Sequence, residues 1–157
     1  MRHTISVLVE NKFGVLARIA GLFSARGYNI SSLAVSETLD PNVSYMTIVV
    51  DAKDSTVLEQ IKKQLNKLID IISVTDFTRK DHVERELILV KVACTNKMKA
   101  KLSLVVEKYQ GLVIQCKNDT AIIEAVGELA QIKQLLEILS TFGVKELVRT
   151  GKIAVAY

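Results

Sequence analysis

The residue types that could do chemistry in this chain gather in one short stretch, ENKFGVLARI, running from Glu10 to Ile19. A strand pattern, ISVLV, leads into it, and a helix pattern, VLARIAGLFSAR, leads out. A helix N-terminus presents unpaired backbone N–H groups and the positive end of the helix dipole. It therefore suits an anion, a carboxylate as well as a phosphate. Gly14 lets a ligand approach that backbone, because glycine has no Cβ. Asn11 carries an amide that can accept from an ammonium and donate to a carboxylate. The plainer alternative is that Asn11 caps the helix and Gly14 serves a tight turn, and the spacing leaves both open.

Other chemistries find less support. The two histidines, His3 and His82, lie in different segments with no cysteine or carboxylate at metal-ligand spacing. Ser24, Ser31, Ser32 and Ser36 have no histidine in local reach. No G-x-S-x-G, Walker A or G-x-G-x-x-G pattern occurs. Cys94 and Cys116 fall in separate strand-like runs and are expected to be buried, reduced thiols of a cytoplasmic protein.

The elements that position these residues follow from hydrophobic spacing. Ile5, Val7 and Val9 alternate with Thr4, Ser6 and Leu8, as a half-buried strand does. Val15, Leu16, Ile19, Leu22 and Phe23 mark one helical face, and Gly27 supplies a C-terminal stop. YNISSLAVSE and VSYMTIVVD are strands joined by TLDPN, where Pro41 fits the second position of a turn. Val57, Leu58, Ile61, Leu65 and Leu68 mark a second helix, with Asp54 or Ser55 as its expected cap. IDIISVTDF closes a βαββαβ unit.

The order then repeats: strand ERELILVKVAC, helix MKAKLSLVVEKYQ ended by Gly111, and a hairpin turning at Asn118-Asp119. Helix ELAQIKQLLEILSTF and strand VKELVRT complete it, with KIAVAY as an extension. The expected fold class is α+β, two tandem ferredoxin-like βαββαβ units, residues 1–79 and 80–157. Units this small bury limited surface, so oligomerisation is expected.

Composition agrees with a soluble globular chain. Its 157 residues are 49% hydrophobic but only 5% aromatic, so the core must be aliphatic. No apolar run reaches the roughly 18 residues that span a bilayer, and the N-terminus lacks the apolar region of a signal peptide. Neither a membrane nor a nucleic acid is an expected partner. The net charge of +4 divides evenly between the halves, with no basic block.

The fold has other known tenants. An RNA-recognition module needs aromatics on its central strands, and here Tyr45 is the only ring in the third. An acylphosphatase-like enzyme needs an arginine in the first loop, which offers Lys12; Arg18 lies a turn into the helix. A copper chaperone needs a CxxC. A small-molecule sensor remains, and the second strand supports it. NISSLAVS would lie on a sheet edge yet holds no lysine, proline or glycine to blunt it. Its simplest cover is its own twin in a two-fold dimer. Asn29 could then approach the Gly14 mouth of the other copy.

SVLVENKFGVLARIAGLFSARGYNISSL, MTIVVD and LEQIKKQLNKLIDIISVTDF resemble the ACT domain of the small regulatory subunits of acetohydroxyacid (acetolactate) synthase. The likeness runs on through HVERELILVKV. The resemblance implies a non-catalytic subunit that binds the large catalytic subunit, activates it and confers feedback inhibition by L-valine. It implies a homodimer through the ACT domain, with valine held by Asn11, Gly14, Val15 and Leu16 and closed over by Asn29 and Ile30. It implies no cofactor in this chain, with thiamine diphosphate, Mg and FAD on the catalytic subunit. A stand-alone amino-acid-responsive regulator is the alternative, though no helix-turn-helix pattern remains for DNA. An acylphosphatase-like enzyme comes third. CTNKMKAKL has no glycine at the corresponding mouth of the second unit, so no second site of this kind is expected.

Overall fold

The computed structural model describes residues 2–51 and 55–157, with Ser55 represented by its backbone. The elements are β1 (Arg2–Glu10), α1 (Val15–Ala25), β2 (Asn29–Glu37), β3 (Val43–Asp51), α2 (Ser55–Leu65) and β4 (Ile71–Asp76). They are followed by β5 (His82–Ala93), α3 (Lys99–Lys108), β6 (Leu112–Lys117), β7 (Thr120–Gly127), α4 (Leu129–Ser140), β8 (Val144–Arg149) and β9 (Ile153–Ala156). The βαββαβ order occurs twice, which makes the fold α+β. The expected cap of α2 at Asp54 or the Ser55 side chain lies outside the described residues.

In the first unit the sheet runs β2-β3-β1-β4, all neighbours antiparallel. The alternation of β1 puts Ile5, Val7 and Val9 on one face, where they meet Met46, Ile48 and Val50 of β3. Val15, Ile19 and Phe23 of α1 and Leu58, Ile61 and Leu65 of α2 close that core. The helices thus cover one face of the sheet, and β2 is an edge strand. The turn into β3 forms where proline predicts it, with Val43 N donating to Asp40 O at 3.0 Å across Pro41.

The second sheet runs β6-β7-β5-β8, and β9 pairs with β5 as its fifth strand. Its core joins Ile88, Val90 and Val92 of β5, Ala121 and Ile123 of β7, Leu102 and Val106 of α3, and Ile132, Leu135 and Leu139 of α4. Asn118 and Asp119 both have positive φ, as a two-residue hairpin turn requires.

Three details differ from the sequence expectation. The left-handed residue after α3 is Gln110, at φ 56°, and Gly111 serves close approach instead, since a Cβ there would stand 2.9 Å from the Glu124 carbonyl. Cys94 is buried but Cys116 is exposed, because β6 is an edge strand. Finally, the chain divides at Val83/Glu84, and Lys152–Tyr157 groups with the first unit, not with Glu84–Gly151. Hydrogen bonds explain the return. Lys152 N donates to Ser32 Oγ (3.0 Å), Tyr45 Oη to the Ala154 carbonyl (2.8 Å) and Tyr157 N to the Asp81 carbonyl (3.2 Å).

Candidate functional site

The mouth of α1 is open. Gly14 is its N-cap residue, at φ 81° and ψ −5°, a left-handed conformation that strains any residue with a Cβ. No side chain caps the helix and no acidic residue stands in its first turn. Val15 N reaches the Lys12 carbonyl at 3.3 Å, and the Gly14 carbonyl accepts from Arg18 N at 2.9 Å. By contrast, Gln131 turns back in α4 to accept from Glu128 N at 3.3 Å.

Asn11 is not the cap. Its side-chain nitrogen donates to the Pro41 carbonyl (2.8 Å) and to Glu37 Oε1 (3.1 Å), while its backbone N–H donates to the Asn42 carbonyl (2.7 Å). The residue fastens the β2–β3 turn to the helix mouth. Beside it, Glu10 N donates to the Asp70 carbonyl at 2.9 Å, which brings the α2–β4 loop to the same end of the sheet. Val15 is buried in the core, so only its backbone can face a ligand, whereas the side chain of Leu16 is 44% exposed.

Two further side chains at the mouth, Arg18 and Lys12, are held in ion pairs. Arg18 donates through Nε and Nη2 to Asp70 Oδ2, at 3.0 and 2.7 Å. Its Nη1 lies 3.5 Å from where a Cβ on Gly14 would stand. A helical side chain leans toward the N-terminus and covers the turn before its own Cα. A cation four residues after the mouth glycine is therefore the sequence signal for this contact. Lys12 is paired with Glu10 at 2.7 Å, and that hydrogen bond holds its pKa above the usual lysine range.

Asn29 and Ile30 lie at the far end of the sheet. Register places Asn29 opposite Asp51, which in turn faces Arg2, while Glu10 faces Val43. The eight steps from Asn29 to Glu37, at about 3.3 Å each, separate Asn29 from the mouth by roughly 26 Å along β2. One copy of the chain thus brings Asn11, Gly14, Val15 and Leu16 together and leaves Asn29 and Ile30 apart. Asn29 donates to Asp51 Oδ2 (3.1 Å), as does Ser31 (2.7 Å). The Ser31 bond first, and the Asn29 bond second, hold the Asp51 carboxyl below its ordinary value.

In the second unit α3 begins after Met98, whose backbone is right-handed, so no glycine mouth is repeated there. Among the described residues, no group of three or more His, Cys, Asp or Glu is arranged to hold a metal ion, and no helix is long and apolar enough to cross a membrane.

An antiparallel β2-β3-β1-β4 sheet, two helices on one face and a glycine at the mouth of the first helix define the first unit as an ACT domain. Residues 5–73 match the model of the AHAS small subunit-like ACT domain, and residues 85–157 match that of the small subunit of acetolactate synthase. The chain belongs to the family of acetolactate synthase small subunits. It is 44% identical to the probable acetolactate synthase small subunit of Archaeoglobus fulgidus over 154 residues, 98% of this chain and 96% of that one. It is 39% identical to the small subunit of Bacillus subtilis over 156 residues, 99% and 91% of the two chains. The crystal structure of the acetolactate synthase small subunit from Thermotoga maritima superposes with a TM-score of 0.88 at 36% identity, covering 100% of this chain and 98% of that one.

Proposed function

We propose that this chain is the non-catalytic regulatory subunit of acetolactate synthase, that it activates the large catalytic subunit, and that it confers feedback inhibition by L-valine. The thiamine diphosphate, Mg and FAD of the reaction belong to the catalytic subunit on this reading. Valine sits between two first units related by a two-fold axis in the cytoplasmic enzyme.

One observation carries the reading: an unblunted edge strand has Asn29 at one end and the open α1 mouth beside the other. Antiparallel pairing of two copies of β2 about Leu33 sets Asn29 of one copy opposite Glu37 of the other. Glu37 is bonded to Asn11. A site split across one chain is thereby completed by two, and each dimer gains two equivalent sites. The backbone N–H groups beyond Gly14 receive the carboxylate of the amino acid. Asn11, whose nitrogen is already engaged, offers Oδ1 to the ammonium. Asn29 closes the site from the other copy, and Leu16 and Ile30 supply the apolar wall. Such a wall separates ligands differing by one methylene by only about 1–3 kcal/mol, so leucine and isoleucine bind more weakly without being excluded.

Calorimetric titration of the full chain with L-valine tests the reading, with D-valine, threonine and lysine as controls. Saturable, stereospecific heat at one site per chain is expected, together with valine-sensitive activity on reconstitution with the large subunit. Absence of valine binding both alone and with the large subunit present would sink it.

A further inference from the structure

Arg18 engages Asp70 with one side of its guanidinium and leaves the other side at the mouth of α1. A guanidinium is a rigid planar fork whose donor edges each match a carboxylate. The Nε/Nη2 edge is occupied, both nitrogens donating to Asp70 Oδ2 at 3.0 and 2.7 Å. Nη1 has no acceptor among the described residues, and it lies 3.5 Å from where a Cβ on Gly14 would stand. The side chain is half-exposed, so the Nη1/Nη2 edge is open to a ligand. That edge and the uncapped helix end meet at the space glycine leaves empty.

The fork is anchored at both ends. Its backbone N–H is fixed in α1 by the Gly14 carbonyl at 2.9 Å. At the other end, the Asp70 side chain is only 10% exposed. The Asp70 carbonyl accepts from Glu10 N at 2.9 Å, which ties that residue to the end of β1. A donor edge held this way binds without first losing side-chain freedom. The neighbouring cation, Lys12, is held by Glu10 at 2.7 Å.

We propose that Arg18 is the specificity-determining residue of the effector site, receiving the ligand's α-carboxylate on its Nη1/Nη2 edge, and that Asp70 is its positioning residue. The inference rests on the reading of the α1 mouth as the amino-acid site. Backbone N–H groups at a helix end accept a neutral carbonyl oxygen as well as a charged one. A fixed guanidinium edge favours a carboxylate, through two parallel charge-assisted hydrogen bonds. The site therefore takes free α-amino acids and discriminates against their amides and esters and against peptide-linked residues. Asp70 acts only through Arg18, by keeping the second edge turned to Gly14.

The test titrates the full chain with L-valine and with L-valinamide, which keeps the ammonium and the side chain but has no carboxylate. Wild type is expected to bind L-valine about twentyfold or more tightly than L-valinamide. Arg18→Ala should lose about tenfold for L-valine and stay within about twofold for L-valinamide, so that most of the preference disappears. Arg18→Lys keeps a cation for Asp70, and with it the fold, but has no second edge; its preference should fall about fivefold. Asp70→Asn still accepts from Nε through Oδ1, so its preference should fall by a smaller factor, about threefold. Arg18 variants that keep the wild-type preference overturn the assignment. An equal loss for both ligands overturns it too, leaving Arg18 a structural clamp between α1 and the α2–β4 loop. A wild-type chain that binds L-valine no better than L-valinamide overturns the carboxylate edge and leaves the effector site standing. A wild-type chain that binds neither, alone or with the large subunit, overturns the functional reading and this inference with it.

Discussion

Arg18 reaches Asp70 at 2.7 Å across the mouth of α1, joining a half-exposed guanidinium to a carboxylate whose side chain is only 10% exposed. Arg18→Ala leaves that carboxylate in place without its ion pair. Full burial of an unpaired charge costs about 3–5 kcal/mol, and the exposure of Arg18 reduces the expectation to about 1–2 kcal/mol. Urea denaturation of Arg18→Ala, Asp70→Asn and the double variant measures it. A double variant no more stable than the sum of the single losses predicts would show that the two residues act independently. Valine affinity of Arg18→Ala should also fall about tenfold, since a cation beside the mouth is lost; unchanged affinity removes Arg18 from the effector site.

Gly14→Asp tests the mouth itself. At φ 81° any Cβ carries a strain of about 1–2 kcal/mol, but the space is open, with Arg18 Nη1 at an ordinary 3.5 Å. The new carboxylate lies within reach of Arg18 and occupies the place proposed for the ligand carboxylate. The expected variant melts a few degrees lower, remains dimeric, still activates the large subunit and no longer responds to valine. Inhibition by valine at wild-type potency would place the site elsewhere.

Asp51 gives a pH dependence with a definite sign. Its hydrogen bonds from Ser31 and then Asn29 depress the folded carboxyl below the ordinary value of 3.8. A depressed carboxylate contributes stability that is present above the unfolded value and is lost as pH falls through the folded one. The contribution is therefore intact at neutral pH and disappears below about pH 4. Ser31→Ala should move the titration of the Asp51 side-chain carboxyl carbon toward the ordinary value by NMR. A midpoint that does not move would remove Ser31 as the main cause.

The two thiols should separate cleanly. Burial, the leading cause, pushes the Cys94 thiol above its usual 9.0, while Cys116 lies exposed on the β6 edge. The thiolate is the reacting species, so iodoacetamide at neutral pH should modify Cys116 and spare Cys94 until the chain is unfolded. Equal labelling of both in the folded chain, read by peptide mass spectrometry, contradicts that placement.

Local signals were legible in this sequence where they act locally. The alternation Ile5, Val7, Val9, the helical face from Val15 to Phe23, the turn at Pro41 and the Asn118-Asp119 hairpin all act within a few residues, and each forms where its pattern says. The open helix mouth was readable for the same reason. What the local patterns do not carry depends on partners far along the chain. Arg18 gains its role from Asp70, 52 residues away, and Asn11 is drawn from capping to fastening by Glu37 and Pro41. Cys116 is exposed because of strand order, which a strand-like run does not reveal. The return of β9 to the first unit depends on Ser32, Tyr45 and Asp81, none of which differs in type from an ordinary surface residue.

That return makes its own prediction. Tyr45 Oη donates to the Ala154 carbonyl, and Ala154 is buried. Tyr45→Phe keeps the ring and removes one neutral hydrogen bond, a loss of about 0.5–1.5 kcal/mol. Deleting Lys152–Tyr157 removes the Ser32 and Asp81 contacts as well. Amide exchange should then quicken in β1 and β3, while the β5 and β7 amides of the second unit, from Glu86 to Ala93 and Thr120 to Gly127, keep their protection. Because Lys152–Tyr157 groups with the first unit, loss of protection confined to the second would contradict the division at Val83/Glu84.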